Sequence, residues 1–179
     1  MLNAEYTVKE AFVVGMVISS LLLSGAVNAG QTPSTAKFTS KEGAFSVTLP
    51  GEPKESSEDM SSQNGPTVLH IFQLEGDEGK IFFMVGYSDY QTPLNVTTSL
   101  EAIINAQLEG LKGKLTSDKM VTLDGHPGRS VIIEAEAGNF SSSIYIAGNR
   151  LYQVMFGMPK GKTIPADGKE FLASFRILI

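Results

Sequence analysis

The chain has 179 residues and a net charge of −5, with 42% hydrophobic residues, 18% charged residues, no cysteine and no tryptophan. This composition is that of a globular protein, and the length suits one domain of ordinary size. The lack of cysteine excludes disulfide bonds, thiolate catalysis and a lipid-modified N-terminal cysteine. The chain is mildly acidic and has no cluster of lysine and arginine, so we expect no nucleic-acid partner and no polybasic membrane contact.

The N-terminus has the pattern of a secretory signal peptide. Residues 11–27 form an apolar run interrupted only by Gly and Ser, which ends in the sequence VNA at 27–29. Signal peptidase requires small residues at positions −3 and −1, which are Val27 and Ala29 here, so we predict cleavage after Ala29. The alternative is an uncleaved anchor, because Lys9 is the single basic residue before the run and two glutamates outnumber it. That anchor would be the chain's only membrane contact.

This interpretation divides the chain into three segments. Residues 1–29 are the predicted signal peptide, residues 30–44 a flexible linker with a first short strand, and residues 45–179 a single domain. With or without cleavage, the domain is predicted to be exported to the periplasm, the thylakoid lumen or the extracellular space.

The first half of the domain has the pattern of strands. Phe45–Leu49 alternates apolar and polar residues and stops at a proline turn. Residues 54–66 are polar and indicate an exposed loop or a weak edge hairpin. We predict further strands over Thr67–Leu74 and Ile81–Ser88, the second being apolar enough on both faces to lie centrally.

One amphipathic helix is predicted from about Thr98 to Leu111. Thr97, Thr98 or Ser99 is expected to cap its N-terminus, and glycines help to end it. The apolar stripe at helical spacing consists of Leu100, Ile103, Ile104, Leu108 and Leu111.

The second half returns to strands and ends with a short helix. A turn is expected at 124–128, and Gly148-Asn149 is suited to a two-residue hairpin. The predicted elements are strands Met120–Leu123, Arg129–Ala137, Phe140–Ala147 and Arg150–Met158, a helix Pro165–Ala173 and a closing strand Phe175–Ile179. This order predicts an α+β fold, a mostly antiparallel sheet covered by helices.

Four sequence patterns resemble the PsbP-like superfamily, the α/β/α sandwich of the photosystem II extrinsic protein PsbP and its bacterial relatives. They are F-x-V-x-L-P-G-x-P at 45–53, L-D-G-x-x-G-R at 123–129, N-R-L-Y-Q-V at 149–154, and Ser174-Phe175 after the last helix. The resemblance covers most of the chain from Phe45 onward. It implies a bacterial member of a group whose proteins include non-enzymatic partners of membrane complexes. Some relatives bind divalent metal, but no ligand set carries over to positions in this chain.

Several residues are candidates for chemistry. His126 with Asp124 can contribute to a metal site or act as a base, but two ligands in one turn do not make a site. We therefore expect an exposed turn in which Asp124 bonds its own backbone, and a sheet-surface role for His70. Glu134 and Glu136 indicate a solvated strand face, and the acidic turn at 75–79 lacks the pattern of a calcium loop. We predict no catalytic residue, no metal site and no cofactor.

Two features suit binding. Tyr87, Asp89 and Tyr90 end the central strand and are expected to lie on an exposed rim if the strand stops there. With His126 and Arg129 they form the predicted interaction surface; half-buried packing of the tyrosines is the alternative. The other feature is a set of methionines and aromatics that indicates either an adaptable apolar pocket or ordinary core: Met84, Met155, Met158, Phe83 and Phe156.

The sequence thus predicts an exported, non-catalytic interaction or assembly-accessory module that acts on an envelope or thylakoid-lumen partner complex. The alternative is a small-molecule or lipid carrier with an apolar cavity between the sheet and the helix. A hydrolase ranks third, since no serine lies in a nucleophile elbow and only two histidines are available as a base.

Overall fold

A computed structural model of the protein describes residues 35–62 and 65–179. The predicted signal peptide, the cleavage position after Ala29 and the first part of the linker lie outside the described residues. Within the described ranges the elements are β1 (Ala36–Ser40), β2 (Phe45–Leu49), β3 (Lys54–Ser62), β4 (Gly65–Gly76), β5 (Ile81–Asp89), α1 (Val96–Leu111), β6 (Lys114–Leu123), β7 (His126–Glu134), β8 (Asn139–Ala147), β9 (Arg150–Met158), α2 (Ala166–Ser174) and β10 (Arg176–Ile177). A short 3-10 helix, Asp77–Gly79, joins β4 to β5. Among these residues no helix is both long enough and apolar enough to cross a bilayer.

The strands form two antiparallel sheets. The large sheet has seven strands in the order β3-β4-β5-β9-β8-β7-β6, and the small sheet has three strands in the order β1-β2-β10. The β5 strand lies inside the large sheet between β4 and β9, which confirms the prediction of a central strand. In the small sheet, β2 pairs with β1 on one side and with β10 on the other, so early and late parts of the chain meet there.

The large sheet is covered differently on its two faces. Alternate residues of β5 point to opposite faces. Phe82 and Met84 belong to the hydrophobic cluster under α1, whereas Phe83 and Val85 belong to the cluster under the small sheet and α2. We call these two interior regions the helix layer and the sheet layer. The fold is α+β and mostly antiparallel, as predicted, but on one face a second sheet provides much of the cover.

Helix α1 confirms the predicted apolar stripe. Leu100, Ile104 and Leu111 are buried in the helix layer. The predicted cap is wrong, because the side-chain oxygen of Asn95 accepts a hydrogen bond from the amide of Thr98 at 3.1 Å. Asn95 has extended backbone angles, so it starts the helix two residues earlier than the hydroxyl residues would have.

The second half contains one clear correction. The turn between β6 and β7 is limited to Asp124 and Gly125, both with positive φ, and His126 already belongs to β7. The sequence predicted a turn that extends to Gly128, but Gly128 lies within β7, at a position with no room for a side chain. A Cβ there would lie 2.3 Å from the carbonyl oxygen of Ile144 and 2.5 Å from the ring of Tyr145. Correspondingly, β6 has ten residues rather than the four predicted.

The remaining elements agree with the sequence patterns. Of the two readings of residues 54–66, the hairpin is the one formed, with β3 paired to β4 along its length. Gly148 and Asn149 join β8 to β9 as predicted, with Gly148 at φ 67°. The closing strand is shorter than predicted, since β10 has only two residues.

Candidate functional site

The five residues of the predicted interaction surface fall in two separate regions. Tyr87 and Asp89 lie in β5 and Tyr90 follows it, whereas His126 and Arg129 lie in β7. Strands β9 and β8 stand between β5 and β7 in the large sheet. The structure therefore does not bring the five together.

The two tyrosines are buried, so the prediction that they form an exposed rim is wrong. Tyr87 is 2% exposed in the sheet layer, and Tyr90 is 6% exposed in the helix layer. Tyr90 is also fixed through its backbone, because its amide donates to the carbonyl of Asn149 at 2.9 Å. The alternative of packing is what the structure shows for both side chains.

Asp89 and Arg150 form the centre of a charged cluster at the edge of the sheet where β5 ends and β9 begins. The Arg150 Nε donates to Asp89 Oδ1 at 2.6 Å and its Nη2 donates to Asp89 Oδ2 at 2.5 Å, a bidentate pair. The third contact is from Arg150 Nη1 to the carbonyl oxygen of Glu42 at 3.0 Å. The Asp89 hydrogen bond is the main cause that raises the pKa of Arg150 above its ordinary value, so the guanidinium stays charged.

Aromatic rings continue this cluster across the sheet. The Arg150 guanidinium carbon lies 4.8 Å from the ring centre of Tyr87, within the range of a cation–π contact. His70 stacks on the same tyrosine with ring centres 4.6 Å apart and an interplanar angle of 9°. His70 thus has the sheet-surface position expected of it, with a defined aromatic partner.

The cluster fastens the turn between β1 and β2 to the large sheet. The Tyr152 hydroxyl donates to the Gly43 carbonyl at 2.8 Å, beside the Arg150 bond to Glu42. Burial is the main cause that raises the pKa of Tyr152, and Arg150 partly offsets it. Burial likewise raises the pKa of Tyr87, with a further contribution from Glu42. The neutral hydroxyl and the charged guanidinium therefore act as donors that hold two carbonyl groups. We call this arrangement the Arg150 clasp.

The second region lies on the edge of the large sheet. Arg129 forms a bidentate hydrogen-bonded ion pair with Asp118 of β6, and this bond is the main cause that raises the pKa of Arg129. His126 is half-buried at the start of β7. Met120, between these groups on β6, is 66% exposed and is the most exposed large apolar side chain among the described residues.

Asp124 does not bond its own turn as expected. Its Oδ2 accepts the amide hydrogen of Ile177 in β10 at 2.9 Å, so it links the β6–β7 turn to the small sheet. His126 and His70 do not meet, because three strands separate β7 from β4. Among residues 35–62 and 65–179, no group of three His, Asp or Glu side chains is arranged to hold a metal ion.

The methionines and aromatics predicted to line a pocket are divided between the two layers. Met84 and Met155 lie in the helix layer, whereas Met158 lies in the sheet layer. Phe83 and Phe156 also lie in the sheet layer, with ring centres 5.2 Å apart. These residues therefore do not form one lining and pack as parts of two cores.

Sequence reasoning missed a pair of buried amides in the helix layer. Gln107 is 0% exposed, and its Nε2 donates to the Oε1 of Gln153 on β9 at 3.0 Å. The available signal was position: Gln107 lies one heptad after Leu100 and three residues after Ile104, on the apolar stripe of α1. A polar residue there points to a partner in the sheet.

Comparisons with known proteins identify the fold. No protein-family model and no curated protein sequence matches the chain. Among solved structures, the solution structure of cyanobacterial PsbP (CyanoP) from Synechocystis sp. PCC 6803 matches with a TM-score of 0.55 and 10% identity, over 86% of this chain and 98% of that one. A crystal structure from Bacteroides thetaiotaomicron VPI-5482 has a TM-score of 0.43 and 15% identity, over 82% of this chain and 49% of that one. The chain therefore has the PsbP-like fold that its sequence patterns predicted.

Proposed function

We propose that this protein is an exported, non-catalytic interaction module that acts on a partner protein complex in the cell envelope or the thylakoid lumen. The observation that carries the proposal is the PsbP-like fold, which spans most of the chain. The signal-peptide pattern at residues 11–29 supplies the route of export.

The hydrogen bonds of two arginines support a structural role for these side chains rather than a role in binding a substrate. The Arg150 donors are engaged by Asp89 and the Glu42 carbonyl, and Arg129 is engaged by Asp118. A guanidinium whose donors are engaged within the fold is poorly placed to bind a charged group of a substrate.

The β6–β7 edge is the better candidate for partner contact. Met120 offers an exposed apolar side chain on an edge strand, with the Asp118–Arg129 pair beside it. An apolar anchor within a polar surround is a common arrangement at the centre of protein interfaces.

Affinity capture from cross-linked host membranes, followed by mass spectrometry, tests the proposal. We expect the tagged protein to recover one membrane complex reproducibly, and Met120→Glu to reduce that recovery by about tenfold, as for loss of an anchor residue. Val68→Glu is the matched control, because Val68 is 37% exposed and lies on β4, which four strands separate from β6. Circular dichroism verifies that both variants fold. Recovery of no specific complex by the unmodified protein would reject the interaction module.

A small-molecule carrier is the second candidate function. The buried Gln107–Gln153 pair favours it, because ligand sites are mostly apolar with a few convergent polar groups. Native mass spectrometry of the protein purified from its host is the test, and a mass equal to that of the bare chain would exclude a retained organic ligand.

A further inference from the structure

The helix layer contains a small polar group surrounded by apolar side chains. Its members are Gln107 of α1, Gln153 of β9 and Ser142 of β8, which are 0%, 5% and 1% exposed. In the sheet register Gln153 pairs with Ile144, whereas Ser142 pairs with Met155. Gln153 and Ser142 are therefore diagonal neighbours on one face of adjacent strands, within reach of one another's side chains.

Hydrogen bonding within this group is incomplete. Gln107 Nε2 donates to Gln153 Oε1, but Gln107 Oε1 and Ser142 Oγ are buried and have no hydrogen-bond partner among the described residues. Buried polar atoms in folded proteins are nearly always paired, and an unpaired one destabilises the fold. Two such atoms under the same helix indicate a common cause.

The sheet also leaves a small space beside Gln153, on the side of β9 that faces β5 rather than β8. Gly86 of β5 lies directly across from Gln153. A Cβ placed at Gly86 would be 3.4 Å from Leu69 Cδ1 and 4.0 Å from Gln153 Cβ, which is ordinary contact distance or close to it. The glycine therefore leaves room for about one methyl group on the face that carries the two amides.

We propose that the helix layer binds one small uncharged molecule that donates a hydrogen bond to Gln107 Oε1 and shares another with Ser142 Oγ. The ligand is uncharged because the helix layer consists mainly of apolar side chains, among which an ion would be strongly disfavoured. Its size is that of water or of a molecule with a few heavy atoms, as in the polar internal sites of other proteins. This site gives a location to the carrier role named above as the second candidate function, and it is independent of the interaction role.

A high-resolution crystal structure of the protein purified from its host is the direct test. We expect density within hydrogen-bond distance of both Gln107 Oε1 and Ser142 Oγ. A single isolated peak identifies water, and larger density with a matching added mass in native mass spectrometry identifies an organic ligand. The proposal is overturned if the layer is filled by protein alone and the two atoms bond protein groups directly.

A double-mutant cycle tests the same site in solution. If one molecule bridges the two residues, Gln107→Met and Ser142→Ala will not be additive, and the combined change in the unfolding equilibrium constant will differ from the product of the single changes by a factor of about two or more. Ser143→Ala is the matched control, since this half-buried serine is adjacent in sequence and points to the opposite face. If Gln107→Met does not fold, Gln107→Ala replaces it, because alanine also lacks the acceptor oxygen and favours the helix. Additive effects would overturn the proposal.

Discussion

The helix layer and the sheet layer lie on opposite faces of the same strands but are held together by different contacts. In the sheet layer, Phe45 of the small sheet contacts the rings of five neighbours: Phe38, Phe72, Tyr87, Tyr152 and Phe175. The helix layer is mainly aliphatic and contains the Phe82–Phe140 ring pair, with centres 5.8 Å apart. Aromatic rings prefer certain mutual angles, so they restrict how the two sheets can shift relative to each other. Aliphatic side chains under one helix can repack more freely after a substitution. The sheet layer should therefore be the less tolerant of substitution.

A matched pair of substitutions tests this difference most directly. Phe45→Leu should lower the free energy of unfolding by about 1–2 kcal/mol more than Phe140→Leu, because an aromatic pair contributes roughly 0.5–1.5 kcal/mol beyond area burial. Both residues are buried, at 0% and 3% exposed, so burial alone predicts similar losses. Urea unfolding measures both values. Equal losses would mean that ring geometry does not distinguish the two layers.

The Arg150 clasp gives the next largest expected effect. Arg150→Met keeps an unbranched apolar stem but removes the guanidinium and with it the bonds to Asp89 and to the Glu42 carbonyl. We expect a loss of about 1–3 kcal/mol, the usual range for hydrogen bonds to charged groups. Arg129→Met is the control and should lose less, about 1 kcal/mol or below, because its ion pair with Asp118 joins neighbouring edge strands and holds no second element. The opposite ranking would show that the clasp does not fasten the β1–β2 turn.

The smallest expected effect is a dependence on alkaline pH that arises from two tyrosines of the sheet layer. Burial raises the pKa of Tyr87 and Tyr152, so above pH about 10 the folded protein keeps phenolic protons that the unfolded chain has lost. This contribution to stability is fully present below pH about 10 and is lost as the pH rises toward the folded pKa values. Urea midpoints between pH 8 and 11 should fall less in Tyr87→Phe than in the unmodified protein. Phe140→Leu should leave the slope unchanged, and a slope that is equal in all three proteins would contradict the assignment.

Local patterns predicted most of the elements that face a core. The α1 stripe and the two apolar faces of β5 were readable because periodicity reports burial directly. The polar edge strands were harder: β6 begins at Lys114 with the sequence KLTSDK, which has no apolar periodicity before Met120. This segment is a strand because it pairs with β7, and the sequence of β6 by itself gives no sign of that pairing.

The candidate site was less predictable than the fold because its residues meet through pairing across long sequence distances. Tyr87 was expected at a rim because it nears the end of a strand, yet the small sheet covers it. That sheet includes the pairing of β10 with β2, which joins the two ends of the domain, and β10 has just two residues. Arg150 entered the sequence analysis only as part of the N-R-L-Y-Q-V pattern, because its role depends on Glu42 from a distant segment.

The pairing of β2 with β10 also places a constraint on the order of folding. The amide of Thr48 donates to the Ser174 hydroxyl across 126 positions of the chain, next to the contact between these two strands. Closing so long a loop costs entropy before any contact compensates for it, and proteins dominated by such contacts fold slowly. A chain emerging from a ribosome or a translocation channel can therefore complete its first hairpin early, but it must wait for its last strand before the aromatic interior of the sheet layer can close. Until then, Phe45 and its neighbouring rings stay accessible to chaperones.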